Sequence, residues 1–386
     1  MALDLRTVVA NAALLGTAAG VAYTALAIVR TRAFRRSAAD PHARFTPPLT
    51  VLKPLHGAEP NLYTNLRSLC EQVYPEYQIL FGAAAKDDPA LDVARRLQRE
   101  FPQCDIAIVS GGAHAARNPK VGNLMGMMGH AKHGIVLIAD SDIRAGRNYL
   151  QAVASCFGDT NVGVATCLYG GTPNGSVPSQ LGAMFVNEQF APSVLVAQTI
   201  EPLTYSFGAT MAVRTRVLER IGGLEALADH LGDDYLLGKL AVQAGYHVKL
   251  CPYVVHTDVH EKDLRTLWMH ELRWARTILA NRPAGYAGSI VTNVLPLALL
   301  YALSARFAIQ GTLALATAAT LRILLHEEAR KTFAPHTRRS PWLIPVRDAL
   351  TLGVWCASFL GRNVAWRGDR YRINSDGRMV GSPAEL

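Results

Sequence analysis

Apolar and polar positions sort this chain into membrane-type stretches at its two ends and an alternating pattern between them. Val8 to Val29 is 22 residues without a charge. As a helix rising 1.5 Å per residue it reaches about 33 Å, enough to cross a hydrocarbon core of about 30 Å. Arg30, Arg32, Arg35 and Arg36 follow at once, which predicts that the chain continues on the cytoplasmic side. A second apolar stretch runs from Ala287 to Leu325 with an interruption at Ser304-Ala305-Arg306, the pattern of two helices in a hairpin. Trp342 to Leu360 is also apolar but carries Arg347 and Asp348, which at mid-bilayer cost about 2.5–3.5 kcal/mol each. An interfacial or re-entrant helix is expected there, with a third C-terminal span as the alternative.

Between these ends, Leu49–Leu52 is a short apolar strand, and Lys53 to Gly57 is expected as a turn. Helical spacing follows over 61–72, with Leu62, Leu66 and Leu69 on one face. Strands over 77–82, 105–109 and 134–139 then alternate with helices over 91–101 and 120–130. Continuous apolar strands alternating with helices predict an α/β fold whose mostly parallel sheet is covered on both faces. Such a sheet takes ligands at the carboxyl ends of its strands. The expected organisation is an anchor over 1–30, a basic juxtamembrane linker over 31–48, an α/β domain over 49–286, membrane helices with a basic loop over 287–361, and a basic tail over 362–386.

The 386 residues are half hydrophobic and carry a net charge of +9. The arginines adjoin the apolar segments, as in cytoplasmic loops of membrane proteins, and no nucleic-acid motif accompanies them. The six cysteines are scattered without CxxC spacing, the usage of reduced thiols facing the cytosol. Neither GxGxxG nor GxxxxGK[ST] occurs, which weakens a dinucleotide oxidoreductase or P-loop reading and leaves any phosphate to a divalent metal and arginine.

Four charged islands carry the candidate chemistry. Asp140-Ser141-Asp142 follows a strand end, and two carboxylates two residues apart can hold Mg²⁺ or Mn²⁺, or can form a solvated turn in which Asp142 caps a helix. Asp233-Asp234 opens a helix, either as ordinary N-terminal acids or with a general base that takes a proton from an attacking hydroxyl. His270, Arg273 and Trp274 share a helix face, suited to gripping a phosphate or to lying on a membrane surface. Asp87-Asp88 follows the second strand. Lys120 and Asn123 lie where a turn enters a helix, so each can contact a nucleotide or simply cap.

Together these residues resemble the inverting family-2-type glycosyltransferases of GT-A fold, and among them the ceramide glucosyltransferase-like group. The resemblance is carried by Val51 to Pro60, Asp87 to Ala90, Asn118 to Leu124, Asp140 to Asp142, Phe207 to Thr210, Gly232 to Tyr235 and the Arg273-Trp274 pair. Cys167 to Tyr169 and Asn187 to Val194 are similar to a bacterial hopanoid-associated branch. The resemblance implies that Pro54, Gly57, Glu59, Asp87 or Asp88, and Lys120 hold the nucleotide of a UDP-sugar. It implies that Asp140 contacts the sugar nucleotide, Asp142 the metal, Asp234 acts as base, and His270, Arg273 and Trp274 grip the diphosphate. His270 stands where that motif usually has Gln or Arg, and Ala84-Ala85-Lys86 where relatives often place an acid. The implied activity is metal-dependent transfer of N-acetylglucosamine from UDP-GlcNAc to a bacteriohopanepolyol at the bacterial inner membrane, with the catalytic domain cytoplasmic. A ceramide glucosyltransferase is the nearest alternative, and a non-catalytic nucleotide-binding membrane protein the alternative from another class.

Overall fold

A computed structural model describes residues 5–38, 45–366 and 369–380. Parts of the expected linker (39–44) and tail (367–368 and 381–386) lie outside the described residues. The fold is mixed α/β, as the alternation predicts. The strands are β1 (Leu49–Leu55), β2 (Tyr77–Ala83), β3 (Asp105–Ser110), β4 (Ile135–Ile138), β5 (Ile143–Arg144), β6 (Val162–Pro173), β7 (Met211–Arg214) and β8 (His247–Val259). They form one sheet in the order β3-β2-β1-β4-β7-β6-β8-β5. β1 to β4 are mutually parallel, and β7 runs against both β4 and β6, so β6 points the same way as the first four.

Chain packing defines two compact units. One comprises Ser37–Tyr169 and Pro202–Asp258; the other comprises the chain up to Arg36, Gly170–Glu201 and the chain from Val259 on. The first holds most of the sheet. Its core includes Leu49, Val51, Ile79, Phe81, Leu137 and Ala212, with the helices Leu62–Cys70 and Ala90–Glu100 contributing Leu66, Leu69, Leu91 and Leu97. Each helix buries one apolar stripe, as its spacing requires. β1 runs three residues beyond the expected Leu52 and takes in Lys53 and Pro54. Lysine and proline are poor strand residues by themselves. Here the Lys53 ammonium is fully buried and finds main-chain carbonyls, described below.

In the second unit the N-terminal helix continues from Leu5 to Ala38. Its segment Thr7–Ala38 is long and apolar enough to cross a membrane. Arg32 and Arg35 each pair with Glu328 at 3.2 Å. The expected hairpin breaks at 305–308, where Arg306 and Phe307 adopt left-handed backbone conformations (φ 52° and 53°). Its first arm, Val294–Ser304, has only 11 residues. That is about 16 Å, roughly half a hydrocarbon core, and it is bent by 62° from the preceding helical segment Pro283–Thr292. The second arm runs Ile309–Phe333 and buries Arg322, His326 and Glu328. In the helix Ile344–Ser358, Arg347 and Asp348 are buried and ion-paired with protein groups, so neither faces lipid. Within the basic tail, Asn363–Trp366, Asp369–Ile373 and Met379–Val380 form a small antiparallel sheet.

Candidate active site

Because β1, β2 and β4 are parallel, the residues that follow them arrive at one sheet edge. β7 runs the other way and pairs Met211 with Ile138, so the turn before it, Phe207 to Thr210, comes to that same edge. The helices Pro119–Met128 and Asp233–Gln243 also contribute their first turns. Asn118 caps the first of these, accepting from the N–H groups of Lys120 and Val121 at 3.0 and 3.2 Å, and so directs Lys120.

Lys120 Nζ lies 2.8 Å from Asp140 Oδ1 and 3.2 Å from Asp233 Oδ2. One ammonium therefore joins two islands that stand 93 residues apart in the chain (233 − 140). Burial works against its charge, but Asp140, Asp233 and Asp234 outweigh this and raise the lysine pKa above its ordinary value. Asp234 accepts from the N–H of Gly208 at 2.8 Å through Oδ2 and from its neighbour Tyr235 at 2.7 Å through Oδ1. Burial and the charge of Asp233 push its pKa up to about 6, against the opposing effect of Lys120 and the two N–H donors. Gly208 lies where these groups meet. A Cβ there would stand 3.0 Å from Asp140 Oδ2, 3.5 Å from Asp234 Oδ2 and 3.7 Å from Lys120 Nζ.

Asp142 accepts from Thr257 Oγ1 at 2.7 Å, a contact created by the antiparallel pairing of Ile143 with Thr257. Burial raises its pKa to about 6, aided by the charges of Asp140 and Glu59. Beneath this turn Lys53 Nζ donates to the carbonyls of Asp140 and Ile143, the latter at 3.1 Å. Burial lowers the Lys53 pKa to about 8, while Asp142, Asp140 and Glu59 hold it up. Glu59 Oε2 is buried without a hydrogen-bond partner. Mutually repelling carboxylates and an orphaned carboxylate oxygen fit an open divalent-cation site. Among the described residues no His, Cys, Asp and Glu side chains cluster closely enough to enclose an ion. Such an ion would draw further ligands from water and a bound diphosphate.

At the ends of β1 and β2, both Asp88 oxygens accept from Gly57 N–H at 3.0 and 3.1 Å, and Oδ1 also accepts from Ala90 N–H at 2.9 Å. Asp88 thus ties the loop after β1 to the start of the helix Ala90–Glu100, and Asp87 is left exposed. Gly57 has φ +72°, a conformation that suits glycine. Pro54 and Glu59 flank this loop, half-buried. Asn123 is buried and donates to the Gly82 carbonyl at 2.9 Å, a scaffold bond.

His270, Arg273 and Trp274 belong to the second unit, on the helix Leu264–Asn281, capped by Asp263. His270 Nδ1 lies 2.7 Å from Glu261, and its ring stands 4.1 Å from that of Trp274. Trp274 stacks on Phe185 at 5.8 Å and 21°.

The profile of glycosyl transferase family 21 matches residues 12–379. The chain belongs to this family. Among curated relatives, ceramide glucosyltransferase 3 of Caenorhabditis elegans is 23% identical over 241 residues, covering 61% of this chain and 52% of that protein. A ceramide glucosyltransferase of Komagataella phaffii is 33% identical over 99 residues, 25% of this chain and 19% of that protein. The chain spans about half the length of the curated nematode relatives it matches. A mannosyltransferase from Pyrobaculum calidifontis, solved with GDP-Man and Mn²⁺, is similar with 19% identity and a TM-score of 0.49, covering 89% of this chain and 98% of that one.

Lys53, Thr257 and Gly208 have structural roles at this edge that residue spacing alone does not reveal. Lys53 did leave a signal, a lone charge inside the apolar run Val51-Leu52-Lys53-Pro54-Leu55. Thr257 is placed by strand pairing and leaves none, whereas Gly208 falls within Phe207 to Thr210, one of the stretches that carry the resemblance.

Proposed function

We propose that this member of the family is a membrane-anchored inverting glycosyltransferase. It moves a sugar from a UDP-sugar to a lipid hydroxyl. The observation that carries this reading is Asp234. Its carboxylate is fixed by two N–H donors, lifted toward neutrality, and adjoins Asp233, which shares the Lys120 ammonium with Asp140. Asp234 takes the proton of the acceptor hydroxyl as its oxygen bonds to the anomeric carbon. The bond from that carbon to the diphosphate breaks, and its electron pair leaves with UDP. A divalent cation held by Asp142 and Asp140 would supply positive charge for the departing diphosphate. Arg273, with Trp274 and His270 beside it, is read as the diphosphate grip. Asp87, Pro54, Gly57 and Glu59 are read as the uridine and ribose side, with Asp88 and Lys120 holding the scaffold and its charge balance. The basic run after the N-terminal helix favours a cytoplasmic catalytic unit.

The acceptor is read as a ceramide-like lipid and the donor as UDP-glucose, supported by the names of the curated relatives. The hopanoid alternative rests on Cys167 to Tyr169 and Asn187 to Val194. The Asn187 amide is spent on both backbone groups of Gly171, at 2.8 and 2.9 Å, and Glu188 on buried ion pairs. Purified protein in detergent is to be given UDP-glucose or UDP-GlcNAc with ceramide or bacteriohopanetetrol, in Mg²⁺, Mn²⁺ or chelator. Hexosylceramide formed only with metal supports the full reading. An N-acetylhexosaminyl hopanoid moves the acceptor to the other branch. Absence of UDP release in every arm rejects the activity.

Two further results are expected. Asp234 must be ionised to accept a proton, so kcat should rise about tenfold per pH unit up to about pH 6 and then level. A profile flat from about pH 5 to 8 would remove Asp234 from the base role. Gly208→Val should cut kcat about 10²-fold, because displacing a catalytic group by about 1 Å costs that much. Alanine should be milder, since its Cβ is tight only against the far end of the Asp140 side chain, at 3.0 Å, with Asp234 and Lys120 at ordinary contact distance. Unchanged turnover in the valine variant would mean that the convergence on Gly208 is not the working arrangement.

A further inference from the structure

We propose that Arg347 is a positioning residue for the diphosphate grip, acting through Glu271 on the helix that carries His270, Arg273 and Trp274. The inference rests on the reading of Arg273 given above. Arg347 and Glu271 are 0% and 1% exposed and meet fork to fork, Nη1 to Oε1 at 2.6 Å and Nη2 to Oε2 at 2.7 Å. Arg347 Nη1 also donates to the Leu181 carbonyl at 3.0 Å, and Nε to Thr351 Oγ1 at 3.2 Å. Its guanidinium stands 5.6 Å from the ring of Phe185, the same ring on which Trp274 stacks. A planar bidentate pair resists rotation in a way that a point contact does not. It therefore sets both the roll of the helix Leu264–Asn281 and the seat of Trp274.

The helix bearing Arg347 is itself anchored by the next residue. Asp348 receives Arg322 Nη2 at 2.8 Å and Nε at 3.0 and 3.1 Å. Arg322 also donates to Glu188 at 3.1 Å, and Glu188 meets His326 Nδ1 at 2.8 Å. Ser340 N–H donates to His326 Nε2 at 3.3 Å, which makes Nδ1 the protonated nitrogen facing Glu188. Arg347 and Asp348 thus lock one helix to two others, the motif helix and the helix Ile309–Phe333. Burying this many charges contributes little net stability compared with an apolar core. Its advantage is a single allowed register.

The test uses the full chain in detergent. The variant is Arg347→Met with Glu271→Met, which removes the pair without stranding either charge in the interior. It is made alone and on an Arg273→Ala background. Calorimetric titration with UDP and Mn²⁺ should show affinity about tenfold weaker for the pair variant than for wild type. The further loss on the Arg273→Ala background should be less than about twofold, since effects that pass through one residue do not add. Equal losses in both backgrounds, or no loss in either, overturn the proposal. Amide hydrogen exchange should also quicken across Leu264–Asn281 in the pair variant, and unchanged exchange there overturns the proposal too. This last readout needs neither UDP nor turnover. A wild-type protein that binds no UDP therefore counts against the glycosyltransferase reading, and the exchange result still judges Arg347.

Discussion

Asp234→Asn should leave UDP binding intact and lower kcat by about 10²–10⁴-fold, the usual worth of a positioned general base. The amide keeps the shape of the carboxylate but cannot take the proton. Two local effects oppose each other in stability. The amide nitrogen must face one of the two N–H donors, Gly208 or Tyr235, and an unsatisfied donor costs about 1–3 kcal/mol when buried. Against this, replacing Asp234 removes its repulsion with Asp233, which now helps to raise the Asp234 pKa to about 6. The melting temperature should therefore move little, and the loss in rate should not reflect unfolding. Turnover and UDP titration on the same preparation check this. Near-normal kcat would reject Asp234 as the base.

Lys120→Met should be the most damaging change to the site as a whole. It withdraws the one ammonium that Asp140 and Asp233 share. Breaking a buried pair on one side costs about 3–5 kcal/mol, and partial exposure should bring this toward about 2–3 kcal/mol. Asp140 is 35% exposed in its side chain, so it can recover some hydration. Lys120 also lowers the Asp234 pKa. Without it the acidic limb of the pH–rate profile should move above about pH 6, so that less base is ionised at neutrality. Urea melts and a pH–rate profile of the same variant measure the two effects separately. A limb that stays in place would mean that Lys120 does not act on Asp234.

Much of the candidate site was legible because parallel strands bring their carboxyl ends to one edge whatever the loops do. Asp87, Asp88, Asp140 and Asp142 all follow apolar strand-like runs, so their arrival at one sheet edge followed from pattern alone. What each does at that edge did not. Asp88 and Asp87 are neighbours with the same chemistry, and the Gly57 and Ala90 N–H groups separate a scaffold carboxylate from an exposed one. Lys53 read as a turn because lysine and proline disfavour strands. Its place inside β1 depends on the Asp140 and Ile143 carbonyls, which lie 87 and 90 residues away. The charges at Arg347 and Asp348 were visible as an obstacle to a membrane span, but their partners Glu271 and Arg322 were not.

By itself, then, the sequence determined the α/β class, the N-terminal apolar helix, the acidic islands and their places after strand-like runs, and the family resemblance. Hydropathy period and residue type are local properties, and the class, the helix and the islands follow from them, while the resemblance is carried by the short motifs quoted above. The tertiary structure alone decided that Lys120 joins Asp140 to Asp233, that Gly208 leaves room for Asp234, and that Arg347 pairs with Glu271. Those contacts depend on strand register and helix packing, which bring together residues that no local pattern relates.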